Sequence, residues 1–268
     1  MNREDFPMLN QDLIYLDNGA TTLKPKCVID SVVSYYSNYC ANAHRGDYSI
    51  SQKVDSMYEN VREKIKNFIH ANDSSEIVFT SGTTDGLNRI VFGYFRKKLV
   101  EGDEVLITES EHASNVLPWF SLAKEKGIVV KYIPLDSHHE VTISNVKKSI
   151  TSRTKVISLA YITNVIGDIR PMREIIDYAH QKGILVVGDG AQSISHLKMN
   201  VSLDDVDFFV TSAHKMYGPT GVGFLYGKFD LLNEMDPVIY GGGMNAMYLK
   251  DGYVELREVP TKFEAGTQ

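Results

Sequence analysis

A chain of 268 residues, 43% of them hydrophobic, is long enough to bury a substantial core, as one large α/β domain or two smaller ones. Its net charge is −6 with no basic run, which argues against nucleic acid as a partner. No apolar span approaches the roughly 18–20 residues of a membrane helix, the first residues carry acids rather than a signal sequence, and Cys27 and Cys40 are the only cysteines, so a cytoplasmic protein with free thiols is expected.

In chain order, residues 14–22 (Ile-Tyr-Leu-Asp-Asn-Gly-Ala-Thr-Thr) read as a short strand entering a turn. Residues 27–39 suit a helix with Val28, Val32, Tyr35 and Tyr36 on one face, and a polar loop with His44 and Arg45 follows. From Ser51, apolar residues Val54, Tyr58, Val61, Ile65 and Phe68/Ile69 recur at spacings of three and four, as in an amphipathic helix. A regular alternation then begins. Strands are predicted at 76–80, 104–108, 129–135, 155–161, 184–188 and 208–211, with a further strand at 221–226. Helices are predicted from the 81–86 turn to about Leu99, from about Asn115, near 145–150 and over 172–182. Continuous apolar strands separated by amphipathic helices predict an α/β fold, a mainly parallel sheet covered by helices on both faces. In such sheets ligands bind at the carboxyl ends of the strands.

The residues able to do chemistry fall at those ends. Lys215 ends the run Asp207-Phe-Phe-Val-Thr-Ser-Ala-His-Lys. Such a lysine either extends to solvent or, if buried, loses hydration and becomes a nucleophilic amine. Asp189 ends the strand Ile184-Leu-Val-Val-Gly-Asp, with Gln192 three residues on. Ser81-Gly-Thr83-Thr84 opens a helix, either as an ordinary N-cap or as a seat for a phosphate group. A divalent metal on His112, His214 and Asp189 is a rival reading, disfavoured because the three lie on separate strands without a compact ligand spacing.

A buried acid on one strand and a lysine on the next is how pyridoxal 5'-phosphate (PLP) is held, the carboxylate on the pyridinium nitrogen and the lysine as the imine. The two segments together resemble the fold-type I PLP enzymes of the class V aminotransferase group. A finer resemblance, to the SufS-type cysteine desulfurases and the related selenocysteine lyases, spans nearly the whole chain. It is carried by DNGATTLKP (17–25), HRG (44–46), SGTT (81–84), EHASN (111–115), DGAQS (189–193), SAHK (212–215), YGGGM (240–244) and FEAGT (263–267).

The resemblance implies that Thr83, Thr84, Ser212 and His214 reach the cofactor phosphate and that Asp189 protonates the ring nitrogen. It implies that Gln192 and Asn164 lie near the ring hydroxyl, His112 stacks on the ring and moves protons, and Lys215 carries the imine. The substrate side would be formed by Ala20, His44, Arg45 and Asn164, and Thr267 would reach the phosphate of a partner subunit in a homodimer. The implied reaction removes sulfur from L-cysteine, leaving L-alanine and an enzyme persulfide for an acceptor protein of iron–sulfur cluster assembly. Residues 1–35 would form an arm of the small domain and residues 36–268 the large PLP-binding domain. Family members continue well past the FEAGT motif, into a segment carrying the nucleophilic cysteine and a substrate-binding arginine. Neither Cys27 nor Cys40 matches that cysteine, so this chain alone is expected to bind PLP without completing persulfide formation. The alternatives are a selenocysteine lyase or other class V aminotransferase, and a non-catalytic PLP-binding or dimerisation fragment.

Overall fold

The structure, a computed structural model, describes residues 2–267. Two helices come first, α1 (Lys26–Asn38) and α2 (Ser49–Ile69), followed by β1 (Ile77–Thr80). Helix α3 (Thr83–Arg89) runs on through a π-helical segment, Ile90–Phe95, into a last turn, α4 (Arg96–Lys98). The alternation continues with β2 (Glu104–Ile107), α5 (Leu117–Lys126), β3 (Val129–Tyr132), α6 (Ile143–Ser149), β4 (Thr154–Ala160), α7 (Met172–His180) and β5 (Leu185–Asp189). The short α8 (Val201–Asp204), then β6 (Phe208–Ser212), β7 (Gly223–Gly227) and α9 (Phe229–Glu234) complete the main body. A separate two-stranded hairpin, β8 (Asn245–Tyr248) and β9 (Val254–Leu256), follows.

The main sheet has seven strands in the order β1-β7-β6-β5-β4-β2-β3. The pairs from β6 to β3 are parallel, and only β7 runs against its neighbours, β1 and β6. A short turn joins β6 to β7, and a connection of that length can only reverse the chain. The central strands send alternate side chains into two cores, one on each face. Leu106, Ile157 and Val186 pack on one side, and Val105, Val156 and Val187 on the other. The predicted mainly parallel sheet is therefore present, and its parallel strands end on one edge.

Other expectations shift. Residues 14–17 form no strand and pair with none among the described residues, and Ile14 and Leu16 are 84% and 88% exposed. An alternating apolar pattern makes a strand only where a neighbour supplies the ladder. No residue of α1 is buried, and Val32 and Tyr36 of its expected apolar face are exposed. On α2 the buried face carries Ser51, Val54, Arg62 and Ile69, whereas Val61 and Phe68 face outward. Among the described residues, no helix is long and apolar enough to cross a membrane.

Candidate active site

Strand β5 is buried almost throughout and delivers Asp189 at its carboxyl end. Its carboxylate accepts one hydrogen bond, from the Ala191 N–H at 2.8 Å. Burial pushes this carboxyl up to about 6; nearby Glu111 reinforces the shift, while the Ala191 N–H, Lys215 and Arg170 oppose it. Immediately after it, Gly190 packs so closely on Phe209 that a Cβ would stand 2.0 Å from the ring, so only glycine lets the chain turn here. On the adjacent strand β6, the turn Ala213–Lys215 sets Lys215 at the mouth of the same cavity. Burial lowers the Lys215 ammonium, and Asp189 partly restores it. Lys215 Nζ makes no hydrogen bond among the described residues, so the amine is available to a ligand.

The start of α3 forms the opposite wall. Gly82 adopts φ +144°, and a Cβ there would meet Ser212 Oγ at 3.0 Å. That approach brings Ser212 Oγ within 2.8 Å of the Thr83 N–H, which donates to it, and 2.9 Å from Thr83 Oγ1. Thr84 faces the cavity one residue on, its hydroxyl 2.7 Å from Ser114 Oγ. Beyond β2, His112 opens a short turn, Ala113–Asn115, and caps it: its Nδ1 accepts from the Ser114 N–H at 3.2 Å.

The amino-terminal strap closes the third side. The His214 carbonyl accepts from the Thr22 N–H (2.9 Å), the Thr22 hydroxyl (3.0 Å) and the Lys24 ammonium (2.9 Å). Gln192 Nε2 donates to the Gly19 carbonyl at 2.7 Å, which places Ala20 at the rim. Burial, then the charges of Lys215 and Lys24, hold the His214 imidazolium below its ordinary value.

These walls enclose a cavity of about 380 Å3. It gathers Ala20, Thr83, Thr84, His112, Asn164, Asp189, Gln192, Ser212, His214 and Lys215, ten of the thirteen residues singled out in the sequence. The other three lie elsewhere. His44 is paired with Glu59 at 3.2 Å, and Arg45 donates to the carbonyls of Gly242 and, at 3.3 Å, Gly266. Thr267 is exposed directly after Gly266. Among the described residues, no group of three or more His, Cys, Asp or Glu is placed to hold a metal ion.

Two buried ion pairs escaped the sequence reading. Arg62 of α2 meets Glu264 in a two-pronged contact, Nη1–Oε1 and Nη2–Oε2 both 2.8 Å, with the Phe79 N–H and the Tyr58 hydroxyl also donating to that carboxylate. Although burial alone would lower it, Glu264 holds the Arg62 guanidinium above its ordinary value. Beside the cavity, Arg170 pairs with Glu111 and donates to Thr108 Oγ1 (2.8 Å) and Ser110 Oγ (2.9 Å). Glu111 in turn accepts from the Ala160 N–H (2.9 Å) and Asn115 Nδ2 (2.8 Å), tying the His112 turn to the end of β4. Arg62 was the detectable one: with Val54, Tyr58, Ile65 and Ile69 it completes a single helical stripe, where a charge demands a buried partner.

Residues 14–268 match the family model for aminotransferase class-V. The chain belongs to that family. A protein of Halalkalibacterium halodurans described as a probable cysteine desulfurase is 43% identical over 98% of this chain and 66% of its own length. Among solved structures, the cysteine desulfurase CsdA of Escherichia coli superposes with a TM-score of 0.92 at 37% identity, covering 99% of this chain and 66% of that one. The apo cysteine desulfurase of Thermococcus onnurineus NA1 gives 0.94 at 36% identity, covering 99% and 65%. The chain thus spans about two thirds of the length of the relatives it matches.

Proposed function

We propose that the cavity holds PLP, attached as an imine through Lys215, and that the protein acts as a cysteine desulfurase, releasing L-alanine from L-cysteine and passing the sulfur on. One observation carries the reading. Among the described residues, Asp189 is a buried carboxyl with a single N–H donor and no hydrogen-bonded cation, in one cavity with an unbonded lysine amine. A buried carboxylate needs a cationic or N–H partner, and a pyridinium N–H supplies one. The donor set fits the rest of such a ligand: hydroxyls of Thr83 and Ser212 with His214 on the anion side, and Gln192 and Asn164 along the ring edge.

When bound, PLP supplies an electron sink for charge that develops on the substrate carbon. The chain's own residues do the rest. Asp189 holds the proton on the ring nitrogen. Lys215 Nζ, made less basic by burial, takes and returns protons at the substrate carbons, with His112 beside it. The strap at Gly19–Ala20, held by Gln192, narrows the entrance. The finer assignments belong to this same reading: a SufS-type enzyme in the cytoplasm, feeding an acceptor protein of iron–sulfur assembly. It would be a homodimer in which Thr267 reaches the partner's phosphate site and His44 and Arg45 flank the substrate. Residues 36–268 would form the large domain and residues 1–35 an arm of the small one.

The test is an absorbance titration of the folded chain with PLP, repeated on Lys215→Ala. A near-visible band present in the wild type and missing from the variant supports the reading, and its absence from folded wild type overturns it. Neither cysteine lines the cavity, and both are exposed. Added cysteine should therefore perturb the band without alanine release from this 268-residue chain. Stoichiometric alanine would refute the expectation that the attacking thiol is neither Cys27 nor Cys40.

A further inference from the structure

Three side chains on two elements, the start of α3 and the turn that His112 caps, form one continuous chain of hydrogen bonds at the cavity wall. Thr84 Oγ1, in the first turn of α3, lies 2.7 Å from Ser114 Oγ, which lies 3.0 Å from His112 Nδ1. The direction of this chain is decided by its last member. A backbone N–H can only donate, and the Ser114 N–H points at the same Nδ1 at 3.2 Å. In the neutral imidazole that nitrogen is therefore the acceptor, and the ring proton sits on Nε2. The Ser114 hydroxyl can then approach Nδ1 favourably only by donating to it. Having spent its proton there, Ser114 Oγ must accept from Thr84, whose own hydroxyl proton is committed in turn.

We propose that Ser114 is a positioning residue that locks neutral His112 as its Nε2–H tautomer and, through the same chain, withdraws the Thr84 hydroxyl from donation to an anion. Two consequences follow. His112 offers the cavity a donor rather than a lone pair, so it can hydrogen-bond to, or hand a proton to, an electron-rich substrate atom. It cannot remove one until it has given its own away. On the anion side, the Thr84 side chain contributes at most a lone pair, and donation falls to other groups of that wall. This revises the role the sequence suggests for Thr84. The use of the Nε2 proton in catalysis rests on the desulfurase reading, whereas the tautomer and the direction of the chain require no cofactor.

The experiment is 15N NMR of the histidine-labelled chain without cofactor at a pH where the ring is neutral, with His112 assigned by loss of its signal in His112→Gln. The expected spectrum has His112 as a single tautomer, with a proton-coupled Nε2 and an unprotonated, hydrogen-bonded Nδ1. In Ser114→Ala the Nδ1 resonance should move toward the value of a less hydrogen-bonded nitrogen, because one of two donors is lost. Ser114→Thr should restore it. Thr84→Val should shift the same resonance by less and in the same direction, while inorganic phosphate affinity changes by less than about twofold. A protonated Nδ1, an equal mixture of tautomers, or an Nδ1 signal indifferent to Ser114→Ala in a folded variant would overturn the proposal. A large loss of phosphate affinity in Thr84→Val would overturn its second half. Failure of PLP to bind would leave these spectra unchanged, so the two readings fail separately.

Discussion

Two buried carboxylates, Asp189 and Glu264, lie in opposite situations. Glu264 is saturated: a guanidinium on both oxygens, a backbone N–H and a tyrosine hydroxyl. It fastens the segment after β9 to α2 and to β1, from which Arg62 also takes the Ile77 carbonyl at 2.7 Å. Among the described residues, Asp189 accepts one N–H and lines the cavity. The first is a brace whose interactions are complete within the chain. The second is only partly compensated, by the Ala191 N–H and the nearby charges of Lys215 and Arg170, and buried carboxyls of that kind mark functional sites.

Breaking the brace should have the largest effect. Arg62→Met leaves Glu264 buried without its cation and should cost about 3–5 kcal/mol, seen as a lower urea midpoint. Adding Glu264→Gln should recover part of that loss. A single variant as stable as wild type would show the pair to be dispensable. Asp189 should respond with the opposite sign. Its folded-state value, about 6, stands above the usual 3.8. The folded chain therefore keeps this proton to higher pH than the unfolded chain does. The carboxyl costs nothing below about pH 4, and its penalty grows as pH rises through about 6. Fully developed, the penalty is on the order of 3 kcal/mol. Asp189→Asn keeps an acceptor for the Ala191 N–H and removes the charge. Without cofactor it should stabilise the chain at pH 8 and barely at pH 4, while abolishing PLP binding. A loss of stability at pH 8 would mean that Asp189 is already satisfied by the fold.

The same contrast explains what the sequence disclosed. Strands β4, β5 and β6 are buried along nearly their whole length, so each reads as an unbroken apolar run, and the polar residues that end those runs stand out as Asp189 and Ser212. The cavity was legible because it lies where those runs stop. Pairings between distant residues were not. Arg62 and Glu264 are 202 positions apart, and nothing local in either segment names the other. The hairpin β8–β9 escaped too, since its residues are mostly exposed and follow no alternation that burial would impose. At residues 14–17 the error ran the other way, a short strand being expected where no described residue offers a ladder partner. Local pattern reports what a residue is buried in, not which remote group it meets.

A third element lies between brace and poised site, and it gives the smallest effect. Lys24 reaches across the strap to donate to the carbonyls of Thr22 (2.5 Å) and His214 (2.9 Å), and partial burial lowers its ammonium. These are charge-assisted bonds, but the side chain is only half-buried and water replaces much of what is lost. Lys24→Met should therefore cost no more than about 1 kcal/mol of global stability. Its larger signature should be local. The Thr22 N–H, bonded to the His214 carbonyl, and the Tyr217 N–H, bonded to Thr22 Oγ1, should exchange with deuterium faster, while core amides of β5 and β6 stay protected. Uniform acceleration across the chain would place Lys24 with the brace. No change at either amide would mean that Thr22 alone holds the strap against the Lys215 turn.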